Sequence, residues 1–547
     1  MPLERTAPLC SALRALGLVF RLAGLVGLGG QAACHPPLAA PSPAPSAGGD
    51  EVRLTLLHFS DYHAHAVPFF SEHQSSQGGI ARALGYIKQV KASTPNVLVL
   101  SGGDMWNSGT PAWSDKYASD CSEWTWLGEH LSAMAFGNHD ADYGWDVFAT
   151  CARRAGFPVL SGNLVGSDDK PLLTDGGRPY VVRQIGGIKV GLFALSGPDF
   201  PSLVKPTNLP LGARFTDGIA AATRIVRALR ETEQVNVVVF FGHQSREADF
   251  EMARTVPGID VILGSHSHYK GALQTIAGTS TYFISPFQYL NYLSQVELVV
   301  RGGKLVSTSG RLVRMDNTLG EDAEIAARVG RMQRDLEADP RYAERFQVIG
   351  AAAVELSLDD IDRGESVLGD FAMDVARTAA RAHLMLSTAS SFRASIPPGP
   401  IRMEDYLTAL PYKNKLLTVQ LSGAQVQALL GLAAERRGSD AFGVTSGARY
   451  VIEGKRATQI TLAKYSDPTA SPPTYEALDP ARSYTVATTD YLANVAAGYK
   501  DLFAGAPTSD TGLIVNDTIL NFIKKNSPVA ARIEGRVTVK DPDPPSP

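Results

Sequence analysis

Residues 133–142 read AMAFGNHDAD: a short apolar run, Ala133–Phe136, stops at Gly137 and is followed by Asn138, His139, Asp140 and Asp142. A run this short, closed by glycine, suits a buried strand, and the polar residues then sit at the strand's end. The arrangement recurs in both directions. Upstream, Arg53–Phe59 precedes Ser60-Asp61-Tyr62-His63, and Val97–Leu100 precedes Gly102-Gly103-Asp104. Downstream, Val235–Phe241 precedes Gly242-His243, and Ile259–Leu263 precedes Gly264-Ser265-His266-Ser267-His268. Helical spacing lies between several of these runs, as at Ile80, Leu84 and Ile87, and again at Ile219, Val226 and Leu229. Alternating strands and helices predict an α/β layered domain. In open α/β sheets the working groups collect beyond the carboxyl ends of the strands. Five clusters spread from Asp61 to His268 can therefore converge.

The rest of the chain sets the frame. It has 547 residues, 44% of them hydrophobic and 19% charged, which is ample apolar mass for a core and excludes wholesale disorder. A formal net charge of -4 offers no electrostatic case for binding nucleic acid. Only the N-terminus approaches the ~20 apolar residues of a spanning helix. Residues 1–34 carry Arg5 and Arg14, an apolar stretch from Leu16 to Gly30 broken by Arg21, then Ala32-Ala33-Cys34. This is the pattern of an export leader. Cys34 stands where a bacterial lipoprotein carries its lipidated cysteine; ordinary signal cleavage near Ala33 is the other reading. Residues 35–50, HPPLAAPSPAPSAGGD, form a Pro/Ala-rich tether. Export makes the expected location the periplasm or, through a lipid on Cys34, the membrane of a bacterial envelope.

Beyond the tether, residues 51–315 are expected to form the first α/β domain and 316–347 a charged helical linker broken at Asp339-Pro340. Residues 348–540 are expected to form a smaller second α/β domain, and 541–547 a tail. With Cys10 and Cys34 in the leader, Cys121 and Cys151 remain, as one disulfide or as two buried thiols.

The clustered residue types suit two divalent ions. Asp, Asn and His offer oxygen and imidazole ligands that favour Zn, Mn or Fe. Two dications, two carboxylates (Asp61 and Asp104) and a bound hydroxide leave a small positive balance. That balance can hold an anionic phosphoryl oxygen, and paired metals can stabilise both the attacking and departing oxygens. Single histidines outside the clusters, His58, His65, His73 and His130, read as ordinary packed or solvated residues.

These motifs, in this order, resemble the 5′-nucleotidase family of calcineurin-like metallophosphoesterases, and the likeness runs from Leu54 through most of the chain. The resemblance implies a four-layer α/β sandwich followed by a smaller substrate-binding α/β domain. It implies a metal-dependent phosphoric ester hydrolase that releases phosphate from nucleoside 5′-monophosphates or related nucleotides by metal-hydroxide attack. A UDP-sugar hydrolase or a 2′,3′-cyclic nucleotide phosphodiesterase would use the same metal residues. From another class, a non-catalytic nucleotide-binding surface lipoprotein would have no need of them.

Residue by residue, the resemblance assigns Asp61, His63, Asp104 and His268 to one metal, and Asp104, Asn138, His243 and His266 to the other. Some relatives carry Gln or Asn in place of His268. His139 and Asp142 match the catalytic pair, with Asp142 preferred over Asp140. In the second domain Arg393 matches a substrate-binding arginine, although the preceding Asn and glycines are replaced by Thr388, Ala389, Ser390 and Ser391. Phe442 and Tyr499 stand at the places of two base-stacking aromatics. They are expected to face each other across a cleft, with Arg393 at its rim.

Overall fold

The computed structural model describes residues 51–107, 111–464 and 474–540. The leader, the tether and the tail lie outside the described residues.

Strand Glu51–Phe59 shows how the first domain is layered. Leu54 and Leu56 point to one face and Leu57 and Phe59 to the other, and all four are buried. A strand buried on both faces reads as a continuous apolar run. Leu54 and Leu56 join a core made entirely by two facing sheets, with Leu98, Leu100, Val237, Val239 and Phe241. Leu57 and Phe59 join an outer core with helix Ile80–Ser93. In the second sheet Val238 and Phe240 pack outward with Ile225 and Met252, from helices Gly218–Arg227 and Arg246–Thr255. The result is helix, sheet, sheet, helix: four layers.

The first sheet runs through strands Arg214–Phe215, Val159–Val165, Ala133–Ala135, Val97–Ser101, Glu51–Phe59, Tyr292–Arg301 and Lys304–Arg314, with Pro171–Leu173 paired to Val159–Val165. Strands Glu51–Phe59, Val97–Ser101 and Ala133–Ala135 are mutually parallel. In the second sheet Ile188–Phe193, Val237–Phe240 and Val261–Leu263 are also parallel. Every strand that precedes a polar cluster therefore belongs to a parallel run, and the clusters gather at the carboxyl ends.

Cys121 and Cys151 are joined in a disulfide, with Cα atoms 5.1 Å apart. It links the turn between helices Ala112–Asp120 and Ser122–Gly128 to helix Trp145–Ala155. The charged segment forms helix Ala323–Ala338, which ends just before Asp339-Pro340. Asp322 caps its first turn by accepting from Ile325 N–H. Ile325, Val329 and Leu336 are buried in the outer core of the first domain. The helix is thus packed against that domain along one face.

The second α/β lobe has its own core. A five-stranded sheet runs Gly443–Ser446, Leu384–Thr388, Ser483–Thr489, Lys415–Ser422, Thr508–Ile514. Helices Val367–Ala380, Gly423–Glu435 and Val515–Asn526 contribute to the same core. Among the described residues no helix is long and apolar enough to cross a membrane.

Candidate active site and its metal-ligating residues

The strand-end loops turn sharply. Asp61, His63, Asp104, His266 and His268 all have positive φ, between 47° and 59°. Non-glycine residues rarely adopt that conformation, and it persists where surrounding structure holds it, often at functional sites. Gly103 (φ 93°) and Gly137 let two loops meet. A Cβ on Gly103 would fall 2.7 Å from Gly137 N, and one on Gly137 would strike the Asp104 carboxylate. Asp140 ties the same loops together. Its buried carboxylate accepts from the N–H groups of Gly137 (2.8 Å), Asp104 (3.1 Å) and Met105 (2.8 Å).

Two carboxylates lie at the centre. Asp61 Oδ1 is 3.3 Å from His268 Nε2, 3.8 Å from His243 Nε2 and 4.0 Å from His63 Nε2. Asp104 Oδ2 is 3.2 Å from His243 Nε2 and 3.7 Å from His63 Nε2. Ligand atoms of Asp61, His63 and His268 converge within 4.8 Å of one another, as do those of Asp61, Asp104 and His243. The resemblance makes Asp104 the shared residue; by this geometry Asp61 also faces both groups.

Asp61 Oδ1, His243 Nε2 and Asn138 Oδ1 are buried without a hydrogen-bond partner. Leaving such atoms unpaired is costly unless something else satisfies them. Their types, carboxylate, imidazole and amide oxygen, are metal-ligand types, so the residues fit a pair of divalent ions. His266 is placed differently. Its ring lies 4.9 Å from the His243 ring, but its Nε2 bonds Asp199 Oδ2 at 2.8 Å.

His139 adjoins this centre. Its backbone N–H donates to Asp104 Oδ1 at 2.8 Å, and its Nδ1 lies 2.9 Å from Asp142 Oδ2. Burial lowers the imidazole pKa, but the Asp104 and Asp142 carboxylates outweigh it and push the pKa up to about 9. Asp142 holds the ring, while Asp140 is taken up by backbone.

The second lobe reaches in through Arg393. Its Nη1 is 2.7 Å from His268 Nδ1, and its Nε donates to the Tyr412 hydroxyl at 3.1 Å. Beside it opens a cleft of about 300 Å³ between the lobes, bordered by Arg246, Lys270, Arg363, Arg393 and Asp440.

The expected aromatic slot is not found. Phe442 is 0% and Tyr499 1% exposed, both inside the core of the second lobe. The Tyr499 hydroxyl donates inward to the Ala441 carbonyl at 3.0 Å. Neither ring presents a face to the cleft. The Arg393 guanidinium carbon lies 5.4 Å from the ring centroid of Tyr412, and Tyr289 stacks on His65 at 3.8 Å. Tyr412, Asp199 and Arg363 escaped the sequence reading, and Asp140, weighed there only against Asp142, proves to be a loop tie. Only Tyr412 carried a local signal, as an aromatic directly after Pro411.

A four-layer sandwich with Asp, Asn and His on the strand ends of both sheets defines a calcineurin-like phosphoesterase architecture. Residues 54–270 match the calcineurin-like phosphoesterase family, and residues 348–504 match the 5′-nucleotidase C-terminal domain. The chain belongs to the 5′-nucleotidase family and is a phosphoric ester hydrolase, of a family that uses divalent metals.

Its relatives agree over most of its length. A crystallised 5′-nucleotidase precursor from Thermus thermophilus has a TM-score of 0.70 at 26% identity, covering 90% of this chain and 100% of that one. Human 5′-nucleotidase is 26% identical over 90% of this chain and 92% of its own. The trifunctional nucleotide phosphoesterase protein YfkN of Bacillus subtilis is 24% identical over 88% of this chain. The match takes in 35% of that protein, so this chain spans about a third of its length.

Proposed function

We propose that this protein is an exported phosphohydrolase that releases phosphate from nucleoside 5′-monophosphates or related nucleotides. The observation that carries the reading is the convergence of five strand-end loops on two buried carboxylates, with buried ligand atoms of Asp61, Asn138 and His243 that make no hydrogen bond. Asp61, His63, Asp104 and His268 would hold one divalent ion, and Asp104, Asn138, His243 and His266 the other. Such a pair supplies an activated water and positive charge against the phosphoryl oxygens.

The chain's own groups do the rest. His63 Nδ1 donates to the Trp106 carbonyl and His243 Nδ1 to the Gly102 carbonyl, which turns each Nε2 lone pair inward, toward His268 Nε2 and Asp104 Oδ2 respectively. His139, oriented by Asp142, is placed to oppose negative charge that builds on the phosphoryl group. Arg393, steadied by Tyr412, brings a cation with planar, paired donors suited to phosphate oxygens. The cleft beside Arg393 would take the nucleoside.

Export is supported by the leader pattern and by the Cys121–Cys151 disulfide, which belongs to oxidising compartments. Anchoring through Cys34 is tested by comparing membrane association of wild type with Cys34→Ser.

The deciding assay is phosphate release from a panel of nucleotides, sugar nucleotides and cyclic nucleotides, with and without chelator, alongside metal analysis. Monophosphate hydrolysis abolished by chelator and restored by Mn²⁺ or Zn²⁺ is expected. Absence of phosphate release from every nucleotide, in metal-loaded protein, overturns the substrate class.

A further inference from the structure

Three of the histidines at this centre, His63, His243 and His266, have one ring nitrogen held from behind by a carbonyl or carboxylate oxygen, and that partner decides which nitrogen is turned inward; His268 instead takes the Arg393 guanidinium on Nδ1. His63 and His243 give Nδ1 to backbone carbonyls, at 2.9 and 2.7 Å, and present Nε2. His266 is reversed. Its Nε2 lies 2.8 Å from Asp199 Oδ2. A carboxylate only accepts, so the ring proton sits on Nε2 and the lone pair on Nδ1. The backbone of His266 is held separately: its φ is 59° and its N–H donates to Asp61 Oδ2 at 3.1 Å. Phe200, next to Asp199 in sequence, packs on the rings of His243 and His266 with centroids 5.8 and 6.2 Å away. Asp199 therefore sets the rotation of a ring whose attachment point is already fixed.

Charge explains why the partner is a carboxylate. The set Asp61, His63, Asp104 and His268 contains two anionic ligands. The set Asp104, Asn138, His243 and His266 contains only the shared one, because an amide oxygen is neutral. We propose that Asp199 is a positioning residue of the second set: it directs His266 Nδ1 toward the ion and supplies, one ring away, the negative charge that Asn138 lacks. The proposal rests on the dimetal reading above. A carboxylate behind a ligating imidazole raises its basicity, and losing such a partner typically costs about 10–100-fold in metal affinity.

The test counts metal, not turnover. Protein loaded with Mn²⁺ or Zn²⁺ is challenged with graded chelator, and the ions retained per chain are measured by mass spectrometry. Wild type is expected to hold two. Asp199→Ala should lose one of them at about 10–100-fold lower free chelator. His266→Ala should lose the same one, and Asp199→Glu should restore retention. If Asp199→Ala melts early or fails to fold, the isosteric Asp199→Asn, which removes the charge alone, carries the comparison. Two ions held as firmly as in wild type by both neutral variants would overturn the proposal. A folded wild type that never takes up two ions would instead overturn the dimetal reading on which it rests.

Discussion

At the scale of single residues, position relative to the two carboxylates decides the expected effect. Asp104 touches His243, His63 and the His139 backbone at once. Asp104→Asn is expected to abolish hydrolysis and to lower retained metal, measured together on the same preparation. His139→Ala should behave otherwise: kcat should fall by roughly 10²–10³-fold while metal content stays at the wild-type level. Loss of metal in that variant would show His139 to be part of the coordination instead. Phe442 makes the opposite case. Fully buried in the second lobe, it is expected on truncation to Ala to destabilise the protein by about 3–5 kcal/mol. Hydrolysis of nucleotides and of a small aryl phosphate should then decline together as the folded fraction falls. A selective loss on nucleotides, with an unchanged melting curve, would return Phe442 to the substrate site.

Among the elements, the strands and their neighbouring helices were the most legible. The run Arg53–Phe59 corresponds to strand Glu51–Phe59, and Val97–Leu100 to Val97–Ser101. Ile80, Leu84 and Ile87 lie on the buried face of helix Ile80–Ser93. These segments are long or strongly apolar, so burial on one or two faces leaves a period that can be read. The disulfide was open in the sequence, since two cysteines 30 residues apart in the chain do not state whether their Cα atoms meet. Closing a loop of that length should stabilise the first domain by about 3.7 kcal/mol in the chain-entropy estimate. Cys121→Ser with Cys151→Ser is therefore expected to lower the denaturation midpoint clearly, and reductant should have the same effect on wild type. A midpoint unmoved by either treatment would show that the bond does not form in solution.

For the whole molecule, the question is what holds the two lobes against each other. His73, from the first lobe, lies with Nδ1 2.8 Å from Glu355 Oε2 and Nε2 3.0 Å from Asp359 Oδ2, both of the second lobe. Carboxylates only accept, so both ring nitrogens must carry protons and the imidazole is cationic in this arrangement. The bond to Glu355, opposed by slight burial and helped by Asp359, raises the His73 pKa above its ordinary value. Glu72 beside it is engaged by Lys270, Tyr292 and Arg314. The sign follows. The contact contributes fully below the ordinary histidine pKa of about 6.5 and is lost as pH rises through the raised value. The group is exposed, so the effect should be modest, about 0.2–1 kcal/mol, or up to roughly fivefold in the equilibrium constant for making the contact. A histidine-specific NMR titration should show His73 above 6.5 in wild type and returned toward it in Glu355→Gln with Asp359→Asn. An identical midpoint in both proteins would refute the contact.

The layered α/β class, the five strand-end clusters and the groups that could hold metal were all legible along the chain. Each of these depends on local order along the chain: an apolar run, then a turn, then ligands whose chemistry is independent of their neighbours. Tertiary structure alone decided which groups stand behind them. Asp199 reaches His266, Asp140 ties the Gly103 and Gly137 loops, and Tyr412 steadies Arg393, each through a contact between segments remote in sequence or a backbone turn that no spacing reveals. It also decided that Phe442 and Tyr499 face inward. A buried aromatic and a base-stacking one look the same in a sequence, because both are flat apolar rings beside glycine, and only the packing around them says which face is left for a ligand.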